Sequence, residues 1–125
     1  MEIQALHIPK TDETPEVLLV ADAGISCIKG RSLPENAFEF YEPVLSWIRH
    51  YAMHISGPFH LELRFDYFNS SSGRYLFELI HILEQSKFRE NYKIVWISEK
   101  EDDLMIEKGE ELKSLTELSI ELVIV

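Results

Sequence analysis

The sequence predicts a single α/β domain spanning residues 1 to 125, in which helices pack on a mixed β-sheet. Three observations favour this fold class: short strand patterns fill the first thirty residues, residues 59 to 67 alternate between apolar and polar side chains, and strand and helix patterns alternate afterwards. The length of 125 residues fits one domain. We therefore expect an N-terminal β-hairpin followed by βα crossover units.

Short apolar runs at residues 3 to 8, 16 to 20 and 25 to 30 indicate the first three strands. The segment Ala21-Asp22-Ala23-Gly24 supplies a turn between the last two of them. These two strands are therefore predicted to form the hairpin, which makes the sheet mixed.

The next segment predicts the start of a helix. Ser32 and Glu35 have the spacing of a capping box, and Pro34 lies where no amide hydrogen is needed. Because Pro43 disfavours a continuous helix, we expect a short first piece at residues 35 to 41 and a second piece from Pro43. One apolar stripe at helical spacing marks the second piece: Tyr41, Val44, Leu45, Ile48, Tyr51, Ala52 and Ile55.

Residues 59 to 67 form the clearest strand, since their side chains alternate strictly. The apolar side holds Phe59, Leu61, Leu63, Phe65 and Tyr67, and the polar side holds His60, Glu62, Arg64 and Asp66. A second amphipathic helix follows the serine cluster and ends near Phe88, and residues 92 to 98 form the next strand. Glu101-Asp102-Asp103 opens a third helix, and residues 119 to 125 form the last strand. Strands that alternate with helices predict parallel pairing in this half.

Charge and composition exclude several classes of function. The chain carries 12 Lys and Arg against 22 Asp and Glu, a net charge of −10 that disfavours nucleic acid and anionic membranes. Cys27 is the only cysteine, so an internal disulfide is excluded. The first residues lack the basic and apolar pattern of a secretion signal, and no apolar run is long enough to span a membrane. We therefore expect a cytoplasmic protein.

The ionisable residues do not indicate an enzyme. The acidic residues from Glu101 onward lie on one predicted helix, as on a solvated face. His50 and His54 are four residues apart but lack the acidic partner of a zinc motif. We therefore expect no catalytic residue, metal or cofactor. A small-ligand-binding domain that uses the polar strand face around His60, Glu62 and Arg64 stays open as an alternative, which a deep pocket gathering these groups would favour.

The cluster Asn69-Ser70-Ser71-Ser72-Gly73 lies where a strand ends and a helix starts. One such residue suffices as a helix cap, worth about 1 kcal/mol, whereas four polar residues stand in a row here. A phosphoryl group at this position is tolerated by the helix dipole and the free backbone amides. At a partner interface the same dianion would weaken binding by roughly 10² to 10³. The cluster therefore predicts a phosphorylation switch.

Four stretches, covering nearly the whole chain, resemble the SiaC family of bacterial regulatory phosphoproteins. They are residues 14 to 17, residues 29 to 41, residues 68 to 72 and residues 101 to 105, and the most specific is the Gly-Arg-Ser-x-Pro-Glu-Asn sequence that begins at Gly30. The serine cluster is also similar to the Asp-Ser-Ser-Gly phosphosite of STAS-domain anti-sigma-factor antagonists, with Asn69 at the Asp position. Both resemblances indicate Ser70 as the phosphorylated residue, with Ser71 and Ser72 as alternatives, and imply a STAS-like architecture.

The SiaC resemblance implies a non-enzymatic partner switch. A dedicated kinase would phosphorylate the protein, a PP2C-type phosphatase would reverse this, and the unmodified form would bind and activate a diguanylate cyclase that controls biofilm formation. Ser70 stands where the family pattern has a threonine, which preserves a hydroxyl. The STAS resemblance leaves an anti-sigma-factor antagonist as the alternative, and recovery of a cyclase or of a sigma-regulating kinase would distinguish the two.

The segment from Lys29 to Tyr41 has two interpretations. Arg31, Glu35 and Asn36 lie in a turn that neither the sheet nor the helix stripe explains. Either this turn only caps the helix, or it forms a partner-binding surface together with Asn69 and Ser71. Nearby, Phe38 and Phe40 are predicted to be core residues or exposed aromatic anchors.

Overall fold

The computed structural model describes residues 3 to 21 and 24 to 125. Six strands form one sheet: β1 (Leu6–Ile8), β2 (Glu16–Leu19), β3 (Ile25–Ser32), β4 (Phe59–Phe68), β5 (Tyr92–Ser98) and β6 (Ile120–Ile124). Three α-helices connect the later strands: α1 (Ala37–His54), α2 (Ser70–Glu84) and α3 (Asp103–Ser114). A 3₁₀ turn, Arg89–Asn91, precedes β5.

The sheet is mixed, as the sequence predicts. Its spatial order is β1-β2-β3-β4-β5-β6. The first three strands are antiparallel neighbours, which confirms the hairpin of β2 and β3, and the last four are parallel. Of the predicted hairpin turn, Asp22 and Ala23 lie outside the described residues. Strand β1 is shorter than the predicted range of residues 3 to 8.

All three helices cover one face of the sheet. Phe59 on β4 contacts the α1 rings of Trp47 and Tyr51, with centroid distances of 5.8 and 5.0 Å. On the same face of β5, the indole of Trp96 donates to the backbone oxygen of Met105 in α3 at 2.9 Å. Apolar side chains of α2 complete this core: Leu76, Leu79, Ile80 and Leu83. The opposite face of the sheet has no helix on it among the described residues.

Helix α1 corrects two predictions. It runs without a break through Pro43, because the missing amide hydrogen deprives only the carbonyl of Glu39, and both residues are exposed to water. The predicted capping box of Ser32 and Glu35 is wrong. Ser32 is the last residue of β3, and the helix is capped by Asn36, whose side chain accepts from the backbone amide of Glu39 at 3.0 Å. The predicted apolar stripe is confirmed for six of its residues, which are buried: Tyr41, Val44, Leu45, Ile48, Tyr51 and Ala52. Its last predicted member, Ile55, is the C-cap beyond the helix and is partly buried.

Two further features differ from the sequence prediction. Helix α2 begins at Ser70 and ends at Glu84, so the serines are its first turn and Phe88 lies beyond it. Tyr67 does not lie on the apolar face of β4. Gly30 pairs with Phe65 but Arg31 pairs with Tyr67, so Asp66 is an extra residue and a β-bulge turns Tyr67 outward.

Candidate functional site

The ends of β3 and β4 bring the two sequence motifs together. Ser32 and Phe68, the last residues of these parallel strands, are paired in the sheet. The backbone amide of Asn69 donates to the backbone oxygen of Ser32 at 3.2 Å. Arg31 belongs to β3 and not to the predicted turn, which holds Glu35 and Asn36. The end of β3 and this turn therefore lie directly beside the serine turn, although the two segments are separated by more than thirty residues of sequence.

The first turn of α2 presents two serines to solvent. Asn69 is the N-cap, and its side-chain oxygen accepts from the backbone amide of Ser72 at 2.9 Å. Ser70 and Ser71 are both exposed. Asn69 therefore has a structural role, whereas the hydroxyls of these two serines make no hydrogen bond with a described residue.

Ser72 faces the interior and has no exposed surface. Its hydroxyl donates to the backbone oxygen of Ser32 at 3.0 Å and accepts from the hydroxyl of Ser32 at 2.8 Å. The phenol of Tyr41 completes this chain by donating to the Ser32 hydroxyl. Burial raises the pKa of Tyr41, so the phenol keeps its proton. Because the Ser72 hydroxyl is sealed inside this network, Ser70 and Ser71 are the alternatives that the fold leaves accessible.

The end of β3 and the turn after it contribute exposed side chains to the same surface. Arg31 and Glu35 are exposed, and Asn36 is exposed while it also caps α1. Of the two phenylalanines, Phe38 is 59% exposed, whereas Phe40 is partly buried against the core and contacts the ring of Tyr41 edge-on at 4.9 Å. Of the two predicted roles, Phe40 therefore has that of a core residue, whereas Phe38 is an exposed aromatic ring.

A cavity of about 470 Å³ lies between the first half of α2 and helix α3, and Ser70 lines it. Phe77 and Leu104 give it apolar walls and are 39% and 48% exposed. Two cations, Arg74 and Lys108, also line it. We name this space the α2/α3 cavity; Tyr67 and Ser70 are also among its lining residues. Sequence reasoning missed it. Arg74 could have been found, because it lies one helical turn after Ser70, whereas Lys108 carries no such signal.

The polar strand face lies elsewhere. His60, Glu62 and Arg64 are on the sheet face that no described helix covers. His60 Nε2 is 3.5 Å from Glu62 Oε2, and Arg64 Nη2 is 3.8 Å from Glu99 Oε1. None of the three lines the α2/α3 cavity. The α2/α3 cavity therefore does not gather the groups that the small-ligand alternative requires.

A mixed sheet with helices on one face and a serine turn at a strand-to-helix junction defines a small α/β domain. Comparison with known families identifies it further. Residues 8 to 125 match the family described as SiaC family regulatory phosphoprotein, and the chain belongs to this family.

Individual relatives come from Pseudomonas aeruginosa. The chain is 28% identical over 109 residues to an uncharacterized protein of strain UCBPP-PA14. This alignment covers 86% of each of the two chains. It is 25% identical to apo-SiaC, with a TM-score of 0.88 over 97% of this chain and 99% of that one. It is 26% identical to a chain in the crystal structure of diguanylate cyclase SiaD in complex with its activator SiaC, with a TM-score of 0.89 over 96% and 99% of the two chains. The resemblance inferred from the sequence is confirmed.

Within the described residues, no helix combines the length and the apolar character needed to cross a membrane.

Proposed function

We propose that residues 1 to 125 form a single regulatory domain without enzymatic activity, whose unmodified form binds and activates a diguanylate cyclase in the cytoplasm. The family match and the relative that is an activator of such a cyclase support this proposal. In the same proposal a dedicated kinase phosphorylates Ser70, and a PP2C-type phosphatase removes the phosphate.

The observation that carries the phosphorylation site is the exposure of the Ser70 hydroxyl in the first helical turn after the Asn69 cap. A kinase can reach an exposed hydroxyl without unfolding the protein. The helix dipole and the amides of the first turn tolerate the added charge, so the scaffold is not disrupted. Ser71 is equally exposed and is the alternative acceptor.

The partner surface in this proposal consists of the end of β3 with the turn after it, and of the adjacent serine turn. Arg31, Glu35 and Asn36 supply one side, and Asn69 and Ser71 supply the other. A dianion placed on Ser70 would then lie within the interface, where it must be desolvated or repelled. Binding would therefore be lost on phosphorylation, which is the required behaviour of a partner switch.

Calorimetric titration of the purified protein with the diguanylate cyclase of the same organism tests the switch. Ser70→Ala should bind like the natural protein, and protein carrying phosphoserine at position 70 should bind at least roughly 10²-fold more weakly. Ser70→Glu should weaken binding by a smaller factor, because it adds one charge instead of two. Ser119→Glu is the matched control, because it adds the same charge at an exposed serine outside the proposed partner surface and should bind like the natural protein. Equal affinities for the alanine and phosphoserine proteins would reject the switch.

Phosphorylation itself is tested by mass spectrometry after incubation with the kinase and ATP. The modification should appear on Ser70 and be absent from Ser70→Ala. A pull-down from the native host that recovers a sigma-regulating kinase and no cyclase would favour the anti-sigma-factor antagonist instead.

A further inference from the structure

The cations Arg74 and Lys108 of the α2/α3 cavity are notable for their lack of partners. Neither makes a salt bridge or hydrogen bond with a described residue. The chain has a net charge of −10, and its eight salt bridges within the described residues use other groups. Two unpaired cations that line one cavity therefore create a local positive region on an acidic protein.

Lys108 lines the cavity and forms no ion pair with a described residue, although acidic residues are close to it on the same helix. Helix α3 carries several carboxylates, Asp103, Glu107, Glu110 and Glu111, yet the half-buried Lys108 pairs with none of them. Glu111 is the only acidic side chain among those that line the cavity. Two cations against one carboxylate leave an excess positive charge for an anion.

Ser70 lines the same cavity as these two cations. Arg74 follows it by four positions on α2, and side chains at this spacing are neighbours, with about 5 to 6 Å between their β-carbons. Lys108 lines the same cavity from the opposite helix. A phosphoryl oxygen on Ser70 can then bond to the guanidinium on one wall and the ammonium on the other, since both cations form charge-assisted hydrogen bonds with phosphate.

We propose that the α2/α3 cavity is the intramolecular binding site of the phosphate carried by Ser70, with Arg74 and Lys108 as its ligands. This inference deepens the proposed function and rests on phosphorylation of Ser70. The phosphate neutralises the positive region and occupies the mouth of the cavity. Phosphorylation thus changes the charge of the surface on both helices and places the bulk of the phosphate beside the partner surface.

Phosphorus NMR tests this without any partner protein. Phosphoserine is incorporated at position 70 of the full chain, and the pKa of its second ionisation, near 6 in free phosphoserine, is measured by titration. Paired cations favour the dianion, so this pKa should rise by about 0.5 unit or more when Arg74→Gln and Lys108→Gln are combined. Lys113→Gln is the matched control, because it removes an exposed cation of α3 that does not line the cavity.

A second comparison separates the cavity from general charge effects. Lys108→Gln should raise the pKa of phosphoserine at position 70 and leave that of phosphoserine at position 71 unchanged, because Ser71 does not line the cavity. The inference would be overturned if the pKa were unchanged in the double variant, or if Arg74→Gln raised it while Lys108→Gln had no effect. These pKa values are independent of the difference in cyclase affinity between the alanine and phosphoserine proteins, which tests the proposed function. A failure of the inference is therefore distinguishable from a failure of the proposed function.

Discussion

The hydroxyl of Ser72 donates to the backbone oxygen of Ser32 at 3.0 Å and thereby joins the first turn of α2 to the end of β3. Both side chains are fully buried. The contact holds the two turns of the proposed partner surface at a fixed distance, and the exposed Ser70 and Ser71 are carried by the helix that it anchors.

Ser72→Ala should lower the free energy of unfolding by about 1 to 2 kcal/mol, because it removes a buried donor and leaves the Ser32 hydroxyl without its acceptor. Ser71→Ala is the control and should change stability by less than about 0.5 kcal/mol, since Ser71 is exposed. Urea denaturation measures both. Equal stabilities of the two variants would show that the buried hydrogen bonds contribute nothing net.

Phe38→Ala should weaken binding to the diguanylate cyclase roughly tenfold, because an exposed aromatic ring beside the proposed partner surface is the kind of anchor that dominates interfaces. Its stability should be nearly unchanged, since the ring is 59% exposed. Met53→Ala, on the same helix and 68% exposed, serves as the control and should bind normally. Titration calorimetry would exclude the anchor role if both variants bound alike.

Gly109→Ala should destabilise the protein by about 1 to 3 kcal/mol despite the higher helix propensity of alanine. An added β-carbon would lie 2.4 Å from Cδ1 of Trp96, whose buried indole is fixed by its hydrogen bond to Met105. Indole fluorescence during urea unfolding reports both the stability and the displacement of the ring. Glu110→Ala should have little effect, and a Gly109→Ala protein as stable as the natural one would contradict the close approach.

The carboxylate of Glu84 is expected to make a pH-dependent contribution to the free energy of unfolding. Its carboxylate accepts hydrogen bonds from the backbone amide of Glu117 and the hydroxyl of Thr116, and these lower its pKa below the ordinary value of 4.5. The stabilisation is therefore fully present above 4.5 and is lost as the pH falls through the lower pKa of the folded state.

Glu84→Gln should accordingly be less stable than the natural protein at neutral pH, and the difference should shrink as the pH is lowered through this window. Denaturant unfolding at a series of pH values measures it. Glu110→Gln removes an exposed carboxylate without such partners and should show no comparable trend. A Glu84→Gln difference that stays constant down to acidic pH would rule out the carboxylate as its source.

Local sequence patterns were sufficient to predict the fold class and the order of the strands and helices along the chain. The alternation from Phe59 to Phe65 and the stripe from Tyr41 to Ala52 have periods that only a strand and a helix can bury on one side. The hairpin and the parallel units follow from the same periods and from the lengths of the connections. The position of the serine turn at a strand-to-helix junction was likewise readable from the residues around it.

The details of the site depended on contacts between distant segments. The bulge at Asp66 that turns Tyr67 outward exists only in the pairing with β3, and Ser72 is buried because Ser32 and Tyr41 meet it from other elements. Lys108 faces the cavity beside Ser70 because β5 brings α3 next to α2. Periodicity records which side of an element is apolar, but it carries no information about which polar side chains of separate elements will come together. The sequence by itself therefore determined the fold class and the serine turn, and the tertiary structure decided which hydroxyls are accessible and which charges surround them.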